Sequence, residues 1–434
     1  MNPSTAGAIQ AAATDAGAPK KPVELSPIHD FAAKIRQEDL LPRVREYVRW
    51  QALQRGTFKG PRSGTDLTKV PDFAPVSINL DLTTSCNYHC DHCVDLNILN
   101  TGIKFQHERL LDSLRLMAER GLKSVIVIGG GEPTVYPRFT EVIRLMKELA
   151  LRVAVVSNGS GMKRIAEVAE VLEDEDWVRL SLDSGSDEVF QAMHKPKKPI
   201  SLDQICEGVL AVRRLLPRFK IGFSFIITWK GAFINETNIV ENLHEIVPAA
   251  ERARRSGFDY IAFKPFLTRA EFNNAEIVDL KDTHAEFDRI VERIREQMDV
   301  AKKLETPRFR VYETTNLKVL ENKSYRNYTN QPEHCHMQFF HQVLSPLGMF
   351  NCPVYRNQPH GRLGSKEAYS NEVNYELTRA TTAHLIRTFN ATEQCKEVTC
   401  LYNHVNWWLE DLIEHPEKLD TLEPSELPEP DYFL

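Results

Sequence analysis

The 434-residue sequence contains no apolar run close to the roughly 20 residues that a membrane-spanning helix needs. It also has no excess of positive charge, because 54 Lys and Arg residues oppose 60 Asp and Glu residues for a net charge of −6. Basic residues cluster only in short stretches such as 195–198 and 252–255, which are usually solvated helix ends. We therefore expect neither a membrane partner nor a nucleic-acid partner.

The amino-terminal residues lack the basic start and the apolar segment of a signal peptide. Residues 1–21 are rich in Ala, Ser, Thr and Gly, and we interpret them as a disordered tail of a cytoplasmic protein. In a reducing compartment, clustered cysteines are more typical of metal or redox chemistry than of disulfides. The eight cysteines fall into an early group of three, a late group of four and a single Cys206. This partition predicts two metal sites.

Short apolar runs alternate with amphipathic helices between residues 76 and 310. The six runs are 76–82, 124–128, 153–156, 178–182, 221–227 and 260–263. Alternation at this spacing predicts an α/β fold with parallel strands and right-handed crossovers. Six units are fewer than the eight of a complete TIM barrel, so a partial (β/α)6 TIM-like barrel or an open doubly wound sheet fits the pattern.

The regions on either side of this barrel have a different pattern. Residues 22–75 predict a helical amino-terminal extension followed by a linker with Pro and Gly. After residue 310 the alternation stops, and residues 339–355 predict a β-hairpin around a Pro- and Gly-containing turn. We assign residues 311–420, with this hairpin and later helices, to a separate small domain, and residues 421–434 to a tail.

Polar, glycine-rich or thiol-bearing segments follow the first four predicted strands. Since active sites of parallel α/β sheets lie at the carboxyl ends of the strands, these segments are expected to meet at one rim. The first segment places three thiols within eight residues, so that they can face one metal centre. A four-iron cluster held by three cysteines keeps one iron open for a ligand. Half of a zinc site completed elsewhere is the alternative.

Cys-x3-Cys-x2-Cys after the first strand, with Gly-Gly-Glu-Pro after the second, resembles the radical S-adenosylmethionine (SAM) superfamily over residues 76–265. The resemblance implies a [4Fe–4S] cluster whose open iron chelates the amino and carboxylate groups of SAM. The ligands carried over are Cys86, Cys90 and Cys93. The residues that would cradle the methionine amino group are Gly130, Gly131, Glu132 and Pro133.

Further rim residues match the family less specifically. His92 stands where relatives often have an aromatic residue, and its ring can pack on adenine. Ser157 and Asn158 match a SAM-contacting site, and Ser181 and Asp183 match a site near the ribose or the substrate. Each of these four also suits a turn or a helix cap, which are common roles for these residue types. The sequence identifies no catalytic side chain beyond this set.

The late cysteines resemble the ligands of a carboxyl-terminal extension called twitch, or of its larger relative SPASM, which holds auxiliary iron–sulfur clusters. They are Cys335, Cys352, Cys395 and Cys400. Four thiolates would saturate one auxiliary [4Fe–4S] cluster, which suits electron transfer or structure. A zinc site with four cysteine ligands and buried structural thiols are the alternatives.

The resemblance implies that an external one-electron donor, such as flavodoxin or ferredoxin, reduces the first cluster. SAM is then cleaved to methionine and a 5′-deoxyadenosyl radical that abstracts a hydrogen atom from the substrate. We expect a small polar, carbohydrate-like substrate, oxidised with the auxiliary cluster as electron acceptor. The alternatives are a maturase that forms thioethers, C–C bonds or epimers in peptides, and a non-catalytic iron–sulfur or zinc protein.

Overall fold

The computed structural model describes residues 27–58, 69–231, 233–234, 237–269, 276–277, 284–324 and 326–434. The predicted disordered tail at residues 1–21 lies outside this part of the chain. None of the helices in the described ranges is long and apolar enough to cross a membrane.

Ten strands form one sheet, and four two-residue strands form two separate pairs. The strands are β1 Ser77–Leu80, β2 Ser124–Val127, β3 Arg152–Ser157, β4 Trp177–Ser181, β5 Lys220–Ile227, β6 Phe233–Ile234, β7 Thr237–Asn238, β8 Tyr260–Pro265, β9 Thr268–Arg269, β10 Glu276–Ile277, β11 Arg310–Glu313, β12 His341–Ser345, β13 Gly348–Phe350 and β14 Arg362–Gly364.

The helices mostly follow strands and cover the sheet. They are α1 Phe31–Ile35, α2 Leu41–Gln54, α3 His107–Glu119, α4 Phe139–Glu148, α5 Met162–Ala166, α6 Asp187–His194, α7 Leu202–Arg213, α8 Ile246–Arg255, α9 His284–Lys302, α10 Thr315–Glu321, α11 Arg326–Thr329, α12 Met337–Phe340, α13 Glu372–Thr388, α14 Ala391–Gln394 and α15 Asn403–Glu414.

The main sheet has the strand order β11-β8-β5-β4-β3-β2-β1-β12-β13-β14. The six predicted strands are adjacent and parallel in it, so the partial barrel is confirmed. Their apolar runs are buried on both faces, as in Val153–Val155, because helices and the barrel interior cover the two sides. This arrangement brings the carboxyl ends of β1 to β4 to one rim.

Four strands of the main sheet lie outside the six predicted units, one beyond β8 and three beyond β1. β11 adds a further parallel strand beside β8. The predicted hairpin exists as β12 and β13, but β12 pairs in parallel with β1 and so extends the main sheet. The backbone groups on that side of the buried strand β1 need partners, and β12 supplies them. The hairpin of region 311–420 is therefore continuous with the barrel and does not form a sheet of its own.

The region predicted as a tail, 421–434, packs against the amino ends of the strands. Tyr432 O accepts a hydrogen bond from Ser124 Oγ at 2.7 Å, at the first residue of β2. The ring of Phe433 lies 5.5 Å from that of Trp177, the first residue of β4. Asp431 forms a 2.8 Å ion pair with the buried Lys34. This segment covers the end of the barrel opposite the candidate site.

Candidate active site

The loop between β1 and α3 carries the first three thiols. Cys86, Cys90 and Cys93 are half-buried, and none of the three is in a disulfide. Burial raises the pKa of Cys90 well above its usual value, and the nearby Cys93 and Cys86 raise it further. Three thiolates this close repel one another unless a cation binds them. The donor set thus fits a metal centre.

Two histidines near Cys90, His92 and His194, also carry atoms that can bind a metal. Cys90 Sγ lies 3.2 Å from Nδ1 of His194, the last residue of α6. Nε2 of His194 donates to the carbonyl of Leu182 at 3.0 Å. Cys90, His92 and His194 present donor atoms within 4.8 Å of one another, a spacing that can hold a metal ion. Sequence reasoning missed His194, since no motif links it to a residue 104 positions away.

The glycine loop after β2 packs directly on the cysteine loop. A Cβ on Gly131 would lie 2.2 Å from Ser85 O, and Gly130 adopts a φ of +67°. These positions therefore need glycine for close approach of the two loops. Among the described residues, no donor contacts the carbonyl oxygens of Gly130 and Gly131. Free acceptors are what an ammonium group requires, so the loop fits the predicted SAM amino group.

Glu132 is tied into the protein through its carboxylate. This group is buried and accepts hydrogen bonds from Thr134 N and Oγ1, Ser157 Oγ and Asn158 N, at 2.6 to 3.0 Å. Burial raises the pKa of Glu132, while these donors oppose the shift. Three of the four donors contact Oε1, and only Asn158 N contacts Oε2. Glu132 thus holds the loops after β2 and β3 together, and its contact with the SAM amino group stays a prediction.

The third-strand segment is tied into the same arrangement. Asn158 Nδ2 donates to Asn87 Oδ1 at 2.9 Å, and Asn87 Nδ2 donates to Ser160 Oγ at 2.8 Å. Asn87 lies directly after Cys86. Ser157 and Asn158 therefore connect the cysteine loop to β3 through side-chain hydrogen bonds, and Pro133 starts the buried 3-10 turn Pro133–Val135 beside them.

The fourth strand contributes a buried carboxylate. Asp183 Oδ2 lies 3.1 Å from His92 Nε2 and 3.5 Å from His194 Nε2, and Oδ1 accepts from Ile226 N at 2.7 Å. Burial raises the pKa of Asp183, but the hydrogen bond and charge of His92 outweigh it and give a net lowering. His92 is thus bound edge-on to Asp183, and its packing on adenine stays a prediction. Ser181 is half-buried at the end of β4.

A buried arginine joins the early and late cysteine segments. Arg356, four residues after Cys352, pairs with Asp81 at 2.8 Å and with Asp95 at 2.6 Å. The other oxygen of Asp95 accepts from Gly130 N at 3.1 Å. No sequence motif predicts this group, because its members are brought together only by the fold.

The four late thiols converge on one small apolar cluster. Cys335, Cys352 and Cys395 pack with Tyr355 and its neighbours, and Cys395 also packs with Cys400 around a valine pair. Burial raises the pKa of Cys395 to about 12. Burial also raises the pKa of Cys400, and the other three thiols add to the shift. The four cysteines therefore lie in one region of the fold, as a shared metal centre would require.

His336, beside Cys335, is excluded as a ligand by its own partners. Its Nε2 lies 2.6 Å from Glu410 Oε2, and its Nδ1 lies 2.8 Å from Tyr47 Oη. Arg55, directly after α2, also forms an ion pair with Glu410, at 2.5 Å. Both ring nitrogens are occupied, so this histidine supports the late thiol site by fixing α2 against α15.

These features define a class of protein. It is a partial α/β barrel that presents three candidate metal-binding thiols at the carboxyl rim, in the loop after the first strand, beside a glycine loop after the second strand. Residues 80–243 match the family model described as the radical SAM superfamily, so this part of the chain is a radical SAM domain. The family implies a catalytic [4Fe–4S] cluster and SAM as cofactors, as the sequence predicted.

Curated relatives cover parts of the chain. An S-adenosylmethionine-dependent nucleotide dehydratase of Thermoplasmatales archaeon (strain ISO4-H5) is 33% identical over 122 residues, which are 28% of this chain and 41% of that protein. A dehydratase of the same name from Flammeovirga pacifica is 25% identical, over 50% of this chain and 71% of that protein. Mycofactocin maturase MftC of Mycobacterium tuberculosis is 34% identical over 28% of this chain and 30% of its own length.

Among solved structures, Streptococcus suis SuiB matches 82% of this chain and 84% of its own, with 13% sequence identity and a TM-score of 0.48.

Proposed function

We propose that the chain is a radical SAM enzyme that abstracts a hydrogen atom from a small polar substrate. The observation that carries this proposal is the packing of the Cys86, Cys90 and Cys93 loop against the Gly130–Gly131 loop, whose carbonyls face no donor in the part of the chain that the structure describes. When bound, the cluster and SAM would supply reductive cleavage to a carbon radical capable of hydrogen abstraction. An external one-electron donor would provide the electron.

The residues of this chain would orient and shield the bound SAM. The carbonyl oxygens of Gly130 and Gly131 would accept hydrogen bonds from its ammonium group. Glu132 would position these carbonyls, because its hydrogen bonds fix the loop that presents them. Asp183 and His92, both buried, would close the rim on the β4 side and limit the access of water.

We further propose that Cys335, Cys352, Cys395 and Cys400 hold one auxiliary [4Fe–4S] cluster. The support is the convergence of four thiols, and four protein ligands leave no iron open for substrate. Such a cluster suits acceptance of the electron left after hydrogen abstraction, which makes the net reaction an oxidation. Zinc bound by the same four thiols would remove that role.

A small polar substrate is favoured over a peptide by the amino-terminal helices. α1 and α2 are held against α15 by two contacts. Arg55, directly after α2, pairs with Glu410, and the ring of Phe31 lies 4.8 Å from that of Tyr402, directly before α15. The two helices thus form part of the wall of the late thiol site. The nucleotide dehydratases also act, by their names, on a small polar molecule. The likeness to MftC keeps peptide maturation as the second candidate.

The proposal is tested by replacing Cys86, Cys90 and Cys93 together with alanine. We expect the anaerobically reconstituted protein to drop from about eight irons to about four and to lose 5′-deoxyadenosine formation. Cys206→Ala, which removes a thiol from the helix α7, is the matched control and should retain both. Persistent SAM cleavage in the triple variant would refute the assignment of these ligands.

The auxiliary site needs its own variant. Replacing Cys395 and Cys400 with alanine should remove about four irons, keep some uncoupled SAM cleavage and abolish product. If the wild type instead contains about four irons with zinc, the late thiols hold zinc and the electron-acceptor role is wrong.

A further inference from the structure

A cavity of about 170 Å³ lies between the two cysteine segments. Its walls include residues that follow Cys93, precede Gly130 and follow Cys352 directly in sequence. The cavity therefore touches both candidate metal loops and the glycine loop. A ligand held there would lie between the site proposed for SAM and the site proposed for the auxiliary cluster.

The charged wall of the cavity is internally neutralised. Arg356 is 9% exposed and already bridges Asp81 and Asp95. Two carboxylates thus face one guanidinium, so a phosphate or carboxylate ligand would find no surplus positive charge on this wall. A buried anion needs such a partner, because its desolvation is costly without one. The cavity is therefore unsuited to an anionic group.

Two amide side chains provide the remaining polar lining. Asn79, on β1, is 8% exposed, whereas Asn97, in the loop after the third cysteine, is exposed to solvent. Among the described residues, neither side chain has a hydrogen-bond partner. Each amide offers two donors and an acceptor, and a buried polar group such as that of Asn79 is normally satisfied. A hydroxyl both donates and accepts, so a ligand with neighbouring hydroxyls matches both amides.

The rest of the wall is aliphatic and comes from both sides. Val94, Ile98 and Ile128 line it from the barrel, and Pro353 and Val354 line it from the late cysteine segment. Aliphatic walls suit the C–H faces of a saturated ring. Pockets for drug-sized ligands span roughly 300–1,000 Å³, so this smaller cavity suits one ring and not a peptide segment or a whole nucleotide.

We propose that this cavity binds an uncharged polyhydroxylated ring, such as a sugar or cyclitol, with Asn79 and Asn97 contacting its hydroxyls. The inference rests on the proposed function and specifies its substrate class. Asn79 and Asn97 act as specificity-determining residues, and the neutralised Arg356 wall discriminates against phosphorylated rings at this position.

The test measures binding to the reconstituted holoprotein by saturation-transfer NMR. The probes are D-glucose, D-galactose and myo-inositol as neutral rings, with uridine monophosphate as the anionic comparison. Asn97→Ala should weaken binding of a neutral ring about fivefold, the effect of one hydrogen bond of about 1 kcal/mol. Asn79→Ala is the second variant. Asn327→Ala, an exposed asparagine on α11, is the matched control and should bind as the wild type does.

The outcomes separate this inference from the proposed function. The inference is overturned if no neutral ring binds the wild type. It is also overturned if Asn79→Ala and Asn97→Ala, shown by circular dichroism to be folded, bind the ring as the wild type does. It is equally overturned if uridine monophosphate is the probe whose binding the variants weaken. A wild type that binds a neutral ring but never cleaves SAM would instead contradict the proposed radical chemistry and leave the binding site standing.

Discussion

Glu132→Gln is the substitution that most directly tests how the glycine loop is held. The carboxylate accepts hydrogen bonds on both oxygens, from Thr134, Ser157 and Asn158. An amide keeps only one acceptor oxygen, so its NH2 must face at least one of these donors. The variant loses a charge-assisted hydrogen bond and places its NH2 against another donor, which together cost about 3 kcal/mol. A neutral amide is easier to bury than a carboxylate, and this offsets about 1 kcal/mol.

A net cost of about 2 kcal/mol falls on the loop conformation that presents the two glycine carbonyls. The fraction of protein in that conformation then limits SAM affinity, which should fall about thirtyfold. Ser157→Ala removes the bond from one hydroxyl to the carboxylate, worth about 1.5 kcal/mol, and should cost about tenfold. Calorimetric titration of SAM into reconstituted protein of equal iron content measures both, with the exposed Glu148→Gln as control. Wild-type affinity in Glu132→Gln would refute this reasoning.

Three further perturbations follow from buried groups elsewhere in the molecule. Burial lowers the pKa of His341 to about 3, so below pH 6.5 the unfolded chain binds a proton that the folded chain does not. In urea unfolding, His341 should contribute about 2 kcal/mol to the stability lost between pH 7 and pH 5, so His341→Phe should reduce that loss by this amount and the exposed His384→Phe should not. Arg356→Lys cannot bridge two carboxylates in the same way and should lower the free energy of unfolding by about 2 kcal/mol; an unchanged value would contradict the bridge. Deleting residues 431–434 removes two buried apolar side chains, Phe433 and Leu434, and should cost about 3 kcal/mol, seen as a lower melting temperature.

The barrel was predictable because its strands are buried on both faces. Such strands appear in the sequence as short continuous apolar runs, as in Val153–Val156 and Ile221–Ile227. The cysteine and glycine loops were predictable for a related reason. Parallel strands place every following loop at one rim, so order along the chain determines which motifs meet.

The edge strands and the long-range partners were not predictable in this way. β11 is exposed at Arg310 and half-exposed at Glu313, so it lacks an apolar run. His194 and Arg356 reach Cys90 and Asp95 from 104 and 261 residues away, and a single sequence holds no local pattern for such contacts. The hydrogen bonds of Ser157 and Asn158 to Glu132 were likewise not predictable, because these partners come from the neighbouring strand.

The pairing of β12 with β1 determines how the two candidate metal sites are related. The early cysteine loop leaves β1, and Cys335 and Cys352 lie just before β12 and just after β13. The two loops are therefore joined by hydrogen bonds within one sheet, and Arg356–Asp95 adds a second link. Sheet ladders and buried ion pairs resist displacement more than a linker between domains does. The distance over which an electron would pass between the sites is thus a property of the sheet itself, and a ligand in the cavity between them would meet walls that are already in place.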